Sequence, residues 1–116
     1  MHQYKNLKVW QKSVELATEV YSCTKQFPSE EKFGLISQIR RSTVSISSNI
    51  AEGAGRNSNK EFKNFLNYAY GSGSELDTQL IISRNLGYIS ENKFEDLSNK
   101  TNEVQRMIYS LSNSLK

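Results

Sequence analysis

The sequence holds one cysteine, one proline and one histidine among 116 residues. A lone thiol, Cys23, cannot close an intramolecular disulfide, so a reducing cytoplasm is the expected compartment. One cysteine and one histidine cannot furnish a four-ligand zinc site. The longest aliphatic run, Leu80-Ile81-Ile82, falls far short of the ~20 apolar residues that a membrane helix needs. The start carries Lys5, Lys8 and Lys12 around Leu7, Val9 and Trp10, with no apolar signal core. A strong excess of either charge is also lacking. Fifteen Lys and Arg stand against 12 Asp and Glu, a net +3, and the isoelectric point is near 9.0. This mild excess admits a polyanionic partner without demanding one.

What is present is helical periodicity. Apolar residues make up 36% and charged residues 23%, a globular composition that fits one domain over residues 1–116. From about Leu7 to Phe27, Leu7, Trp10, Val14, Ala17, Tyr21 and Thr24 form one stripe. Val9, Leu16, Val20, Cys23 and Phe27 form a second beside it. Pro28 punctuates, Ser29 is placed to cap a second helix, and Glu30 and Glu31 suit its positive end. That helix runs to about Ala54 on a seam of Ile36, Ile39, Thr43, Ile46 and Ile50, with Gly53 and Gly55 expected to end it in a left-handed cap.

Ser58 and Glu61 match a capping box that opens a third helix. Its seam is Phe62, Phe65, Ala69, Gly73, Leu76 and Leu80. Gly71 and Gly73 each cost up to ~1 kcal/mol against alanine, and close approach of another backbone would compensate. Gly87 is the expected left-handed residue after the helix. Ser90 caps a fourth, with Ile89 and Phe94 as a hydrophobic staple. Phe94, Leu97, Thr101, Val104, Ile108, Leu111 and Leu115 carry its seam. No strand pattern competes. Short connections between long helices favour antiparallel neighbours, so the expected architecture is an all-α, up-down-up-down four-helix bundle.

The chemistry usually found in such bundles is missing. A di-iron site needs Glu-x-x-His on two helices, and His2 lies outside every helix. No arginine precedes His2, as the Arg–His pair of some helical nucleases requires. Glu30-Glu31 is followed by Lys32, Phe33 and Gly34, which breaks the E-E-x-x-E pattern of magnesium-dependent pyrophosphohydrolases. Glu75 and Asp77, two apart, fall on different helix faces. The Gly53–Gly55 stretch lacks a Walker lysine. The expected protein is not an enzyme and needs no metal or cofactor. Glu52, Glu75 and Asp77 are the weak candidates for a metal-assisted site.

Two features remain for binding. On the second helix Gln38, Ser42, Ser45, Asn49 and Glu52 form a small, mostly uncharged polar stripe. It reads as a solvated face, a subunit interface, or a polar layer bonded to helix three. Glu75 and Gln79 on that helix are natural partners for Arg40, Arg41 or Asn49. Arg40, Arg41, Arg56, Lys60 and Lys63 form a basic cluster, the last three around a helix N-terminus that adds positive potential. Symmetric repetition would multiply its field. Tyr68, Tyr70, Tyr88 and Tyr109 read as core or interface residues rather than a base-stacking platform.

These residues together resemble a known family. Tyr4-Lys5-Asn6-Leu7-Lys8-Val9-Trp10-Gln11-Lys12 is similar to its Y-x-x-L-x-V-W-Q-K start. Phe27-Pro28 followed by Ser29 to Leu35 matches its first turn. Gln38-Ile39-Arg40-Arg41-Ser42 through Ser45-Ile46-Ser47-Ser48-Asn49-Ile50-Ala51-Glu52-Gly53 matches its Q-x-R-R-A-x-x-S-I-x-x-N-I-A-E-G signature. Gly71 to Leu80 resembles its G-S-x-x-E-L-x-T-Q-L run, and Gly87-Tyr88-Ile89 its G-Y-L turn. The departures are Ser42 in place of alanine, and Gly73 and Ser74 where bulkier residues are usual. The family is that of the 23S rRNA intervening-sequence proteins. The resemblance implies an antiparallel four-helix bundle that forms ring-shaped homopentamers. Some members are encoded within insertions in bacterial 23S rRNA genes, and the related accessory protein of diversity-generating retroelements binds nucleic acid and a reverse transcriptase. The expected function is therefore a homo-oligomeric binding module with RNA or DNA as the leading partner. The alternative is a scaffold docking a partner enzyme without significant nucleic-acid binding.

Overall fold

A computed structural model describes all 116 residues. It contains four α-helices and no strand: α1 (Lys8–Thr24), α2 (Leu35–Ala54), α3 (Asn59–Asn85) and α4 (Glu91–Ser114). Each helix packs on its neighbours in the chain, α4 returns to α1, and the diagonal pairs stay apart. This is the expected antiparallel four-helix bundle, 44 Å along its length. No helix is long and apolar enough to cross a membrane.

The core of α1 is narrower than the two stripes suggest. Val9, Ser13, Leu16, Val20 and Thr24 are buried, and Phe27 follows beyond the helix end. Leu7, Trp10, Val14 and Ala17 are only half-buried, and Tyr21 is exposed. Ser13 tolerates the core because its hydroxyl donates to the Trp10 carbonyl at 2.7 Å, which satisfies the buried polar group locally.

The start of α2 differs from expectation. Ser29 to Glu31 form a short 3-10 turn, and no serine side chain caps the helix. Instead Oε1 of Glu31 accepts the Leu35 N–H at 3.1 Å, a carboxylate placed at the positive end of the dipole. Its far end differs too. Gly53 lies inside the helix, and Gly55 closes it in a right-handed conformation. Gly53 is required by packing: a Cβ there would stand 2.6 Å from Phe65 Cβ and 2.9 Å from Phe62 Cδ1. This lets α2 and α3 approach closely just before their turn. The N-terminal segment covers that end, with the His2 N–H donating to the Ala54 carbonyl at 2.7 Å and its ring 5.0 Å from that of Phe62.

On α3, Ser58 accepts the Glu61 N–H at 3.2 Å and its hydroxyl reaches the Glu61 carboxylate at 3.3 Å. This is a capping interaction between the expected pair. Leu66, rather than Phe65, fills the core between Phe62 and Ala69. The two glycines part ways. The Gln105 side chain lies over Gly73, whereas nothing comes within 4 Å of a Cβ built on Gly71. A side chain, not a backbone, therefore explains the first, and no contact explains the second.

The C-terminus of α3 closes in a Schellman motif. Gly87 has φ 78°, its N–H bonds to the Arg84 carbonyl at 3.0 Å, and that of Tyr88 to the Ser83 carbonyl at 2.9 Å. Ser90 then caps α4 by accepting the Lys93 N–H at 3.1 Å. Ile89 and Phe94 are both buried on either side of it, as a staple requires.

Candidate functional site

The polar stripe of α2 lies along the α2–α3 seam. Ser72 donates to Ser45 Oγ at 2.9 Å. Asn49 turns back on its own helix, donating to the Ser45 carbonyl and hydroxyl at 2.9 and 3.0 Å. Ser42 is buried with its hydroxyl on the Gln38 carbonyl. The stripe thus meets helix three through one bond, Ser72 to Ser45, while Ser42 and Asn49 are satisfied within α2 and Gln38 and Glu52 stay exposed.

The partnerships expected of Glu75 and Gln79 do not form. Glu75 is exposed and makes no ion pair or side-chain hydrogen bond, and Gln79 Oε1 is buried without a partner. Arg40 turns the other way, onto α1. It donates to Thr24 Oγ1 at 2.9 Å and to the Tyr21 carbonyl at 3.3 Å, with its guanidinium 4.6 Å from the Tyr21 ring centroid. Arg41 is exposed and unpaired.

This dismantles the basic cluster as one patch. Arg40 belongs to the α1–α2 junction. Arg56 pairs with Glu52 at 3.3 Å and Glu61 at 4.0 Å, and stacks 4.8 Å from the Phe65 centroid. Only Lys60, exposed, and Lys63, half-buried, keep free ammonium groups at the start of α3. Glu52 and Glu61 offset part of this charge, while Lys5 and Lys8 of the N-terminal segment and Lys116, whose carbonyl accepts from Asn59, lie at the same end. The weak metal candidates fare no better. Glu52, Glu75 and Asp77 are not brought together, and no cluster of three or more His, Cys, Asp or Glu side chains exists.

Surface features that periodicity alone did not single out are apolar. On α2, Val44 is exposed next to Arg41. On α3, Tyr68 and Ile82, and Leu86 just past its end, are exposed along the flank that holds Glu75. Across the molecule, Tyr70 of α3 and Tyr109 of α4 are both exposed and line one groove. Of the four tyrosines read as core or interface residues, only Tyr88 is half-buried against the core.

The comparisons with known proteins agree with this architecture. The family model of the 23S rRNA-intervening sequence protein matches residues 5–110. Among solved structures, the chain is similar to a protein of unknown function from the S23 ribosomal protein family of Bacteroides thetaiotaomicron VPI-5482. The two share 30% identity and superpose with a TM-score of 0.84 over 90% of this chain and 97% of that one. No curated protein matches. The motifs, the bundle and the match over nearly the whole length lead to one conclusion: the chain belongs to the family of 23S rRNA-intervening sequence proteins.

Proposed function

We propose that this chain is a non-catalytic, homo-oligomeric binding module that assembles by setting the α2 flank of one copy against the α3 flank of the next. One relationship carries the reading. Ser45 bonds Ser72 and so sets the register of the two antiparallel helices. Arg41 lies four residues before Ser45, and Glu75 three after Ser72. At 1.5 Å per residue their heights along the bundle differ by only ~1.5 Å. They carry opposite charge, both are exposed, and neither is paired within the chain. A cyclic assembly with its axis along the bundle brings residues of equal height together, because rotation adds no translation. Arg41 of one copy then meets Glu75 of the next. Val44, Tyr68 and Ile82 beside them supply apolar area to cover. A ring of five is the form the family resemblance implies.

The test is a charge exchange. Light scattering should give a mass several times 13.3 kDa. Arg41→Glu and Glu75→Arg should each weaken assembly, and the double variant should recover it. A concentration-independent monomer rejects the oligomer itself.

A further inference from the structure

We infer that the groove between α3 and α4 binds single-stranded nucleic acid, by stacking bases on Tyr70 and Tyr109. This goes beyond self-assembly and uses the opposite flank of α3. Tyr70 lies two residues before Ser72, which faces α2, and its carbonyl accepts from Gln105 of α4 at 2.8 Å. The two ring-bearing positions share both adjoining stretches of the groove. Both side chains are substantially exposed, 43% at Tyr70 and 63% at Tyr109. An aromatic face held open to solvent can take a base without first leaving a core.

The rest of the lining selects the occupant. Asn67, Asn102 and Asn113 offer both donors and acceptors along the groove. Arg106 is the one charged group there, and it is bound by no carboxylate of the chain. No Asp or Glu lines either stretch. Glu103, one turn before Arg106, lines the adjoining hollow and reaches Lys12 instead, so the guanidinium is left for a phosphodiester, and side-chain amides suit the hydrogen-bonding edges of unpaired bases. Only Ile108 is aliphatic, so beyond the two rings the groove is lined by polar groups. The α2 and α3 flanks, with Val44, Ile82 and their opposite charges, are built the other way. A duplex would keep its bases stacked on each other and leave the tyrosines unused.

The experiment is fluorescence anisotropy with a labelled oligouridylate, as RNA and as DNA, against a duplex of equal length and against free uridine monophosphate. The single strands should bind best. Tyr109→Ala and Tyr70→Ala should each weaken binding by about 5- to 150-fold, the range for one lost base stack, while Tyr109→Phe keeps it. With few phosphate contacts, affinity should fall only about 3-fold per contact over a fourfold rise in salt. Reversing Lys60 and Lys63 should leave it in place. No binding of the single strands, equal binding of the duplex or of the mononucleotide, or alanine variants that bind like the parent would each overturn the proposal. Light scattering separates this from the assembly reading. If Tyr70→Ala or Tyr109→Ala dissociates the oligomer, the groove is a subunit contact and the proposal fails. If Arg41→Glu dissociates it while strand binding survives, the groove acts alone.

Discussion

Tyr88 donates its hydroxyl to Oε2 of Glu31 at 3.1 Å, while Oε1 of the same carboxylate accepts the first N–H of α2 from Leu35. One side chain thus caps a helix and ties the α1–α2 connection to the α3–α4 turn. The Phe27 ring, 5.4 Å from that of Tyr88, packs beside the bond. Two turns distant in sequence are fixed to each other at one end of the bundle.

Removing the carboxylate therefore breaks two interactions, and removing the phenol breaks one. Glu31→Ala should cost about 0.5–2 kcal/mol, the range for a lost cap, and Tyr88→Phe should lower the melting temperature by less. The hydrogen bond to Glu31, followed by burial, raises the Tyr88 pKa above its usual 10.0. The folded chain then holds that proton more tightly than the unfolded one. The contribution is complete below pH 10 and is lost as pH rises through the folded value. Tyr88→Phe should flatten the alkaline edge of a pH–melting profile. An unchanged edge would mean that Tyr88 does not titrate against Glu31.

The bundle was legible in the sequence because burial imposes its spacing on every helix. Ile39, Thr43, Ile46 and Ile50, like Phe94 to Ile108, sit where their three–four spacing puts them. Gly87 and Ser90 announced their turn for equally local reasons. What stayed illegible depends on partners far away in sequence. Nothing near Arg40 says that it will turn to Thr24, or near Arg56 that Glu52 and Glu61 will neutralise it. The helices point apart cations that stand close together in the sequence. The tyrosines expected in the core or an interface show the same limit. Periodicity locates a stripe, but whether a neighbouring helix covers it depends on the packing of the whole bundle, and Tyr70 and Tyr109 are left uncovered.

Three glycines give a graded test of packing. Gly71→Ala meets open space in a helix and should stabilise by about 0.4–1 kcal/mol. Gly53→Ala drives a methyl into Phe62 and Phe65 and should destabilise by about 1–3 kcal/mol, the usual cost of overpacking. Gly73→Ala displaces the Gln105 amide from the Tyr70 carbonyl, so its gain in helix propensity should be offset. Urea unfolding of the three variants should rank them Gly71, Gly73, Gly53. Any other order contradicts the packing described.

Thr43 is fully buried, yet its hydroxyl has no partner. Thr101, equally buried, donates to the Leu97 carbonyl at 2.7 Å. Replacing an unsatisfied hydroxyl with a methyl of similar shape removes a desolvation cost without opening a cavity. Thr43→Val should therefore stabilise by about 1 kcal/mol, while Thr101→Val should gain less or lose stability. Equal effects at the two sites would show that Thr43 is satisfied after all.

The α1–α4 seam closes the bundle between the first and last helices, and ion pairs line it. Lys100 sits 2.7 Å from Glu19 and 3.2 Å from Asp96, and Lys12 lies 3.9 Å from Glu103. All these side chains are at least a third exposed, so each pair stabilises only modestly and salt weakens it. The hydrogen bond from Lys100 is the main reason the Asp96 pKa falls below its ordinary 3.8. The unfolded chain then binds that proton more readily than the folded one, so stability falls as pH drops below about 4. Lys100 itself is raised above 10.5, chiefly by Glu19, and keeps its charge through the whole acid and neutral range. Lys100→Met removes the cation and leaves the carboxylates unpaired. The variant should be less stable than the parent in urea at neutral pH, and the gap should narrow in acid as Asp96 takes up its proton. Added salt at neutral pH should narrow the same gap. A gap that persists unchanged in acid would assign the effect of Lys100 to its aliphatic stem packing across the seam, and not to its charge.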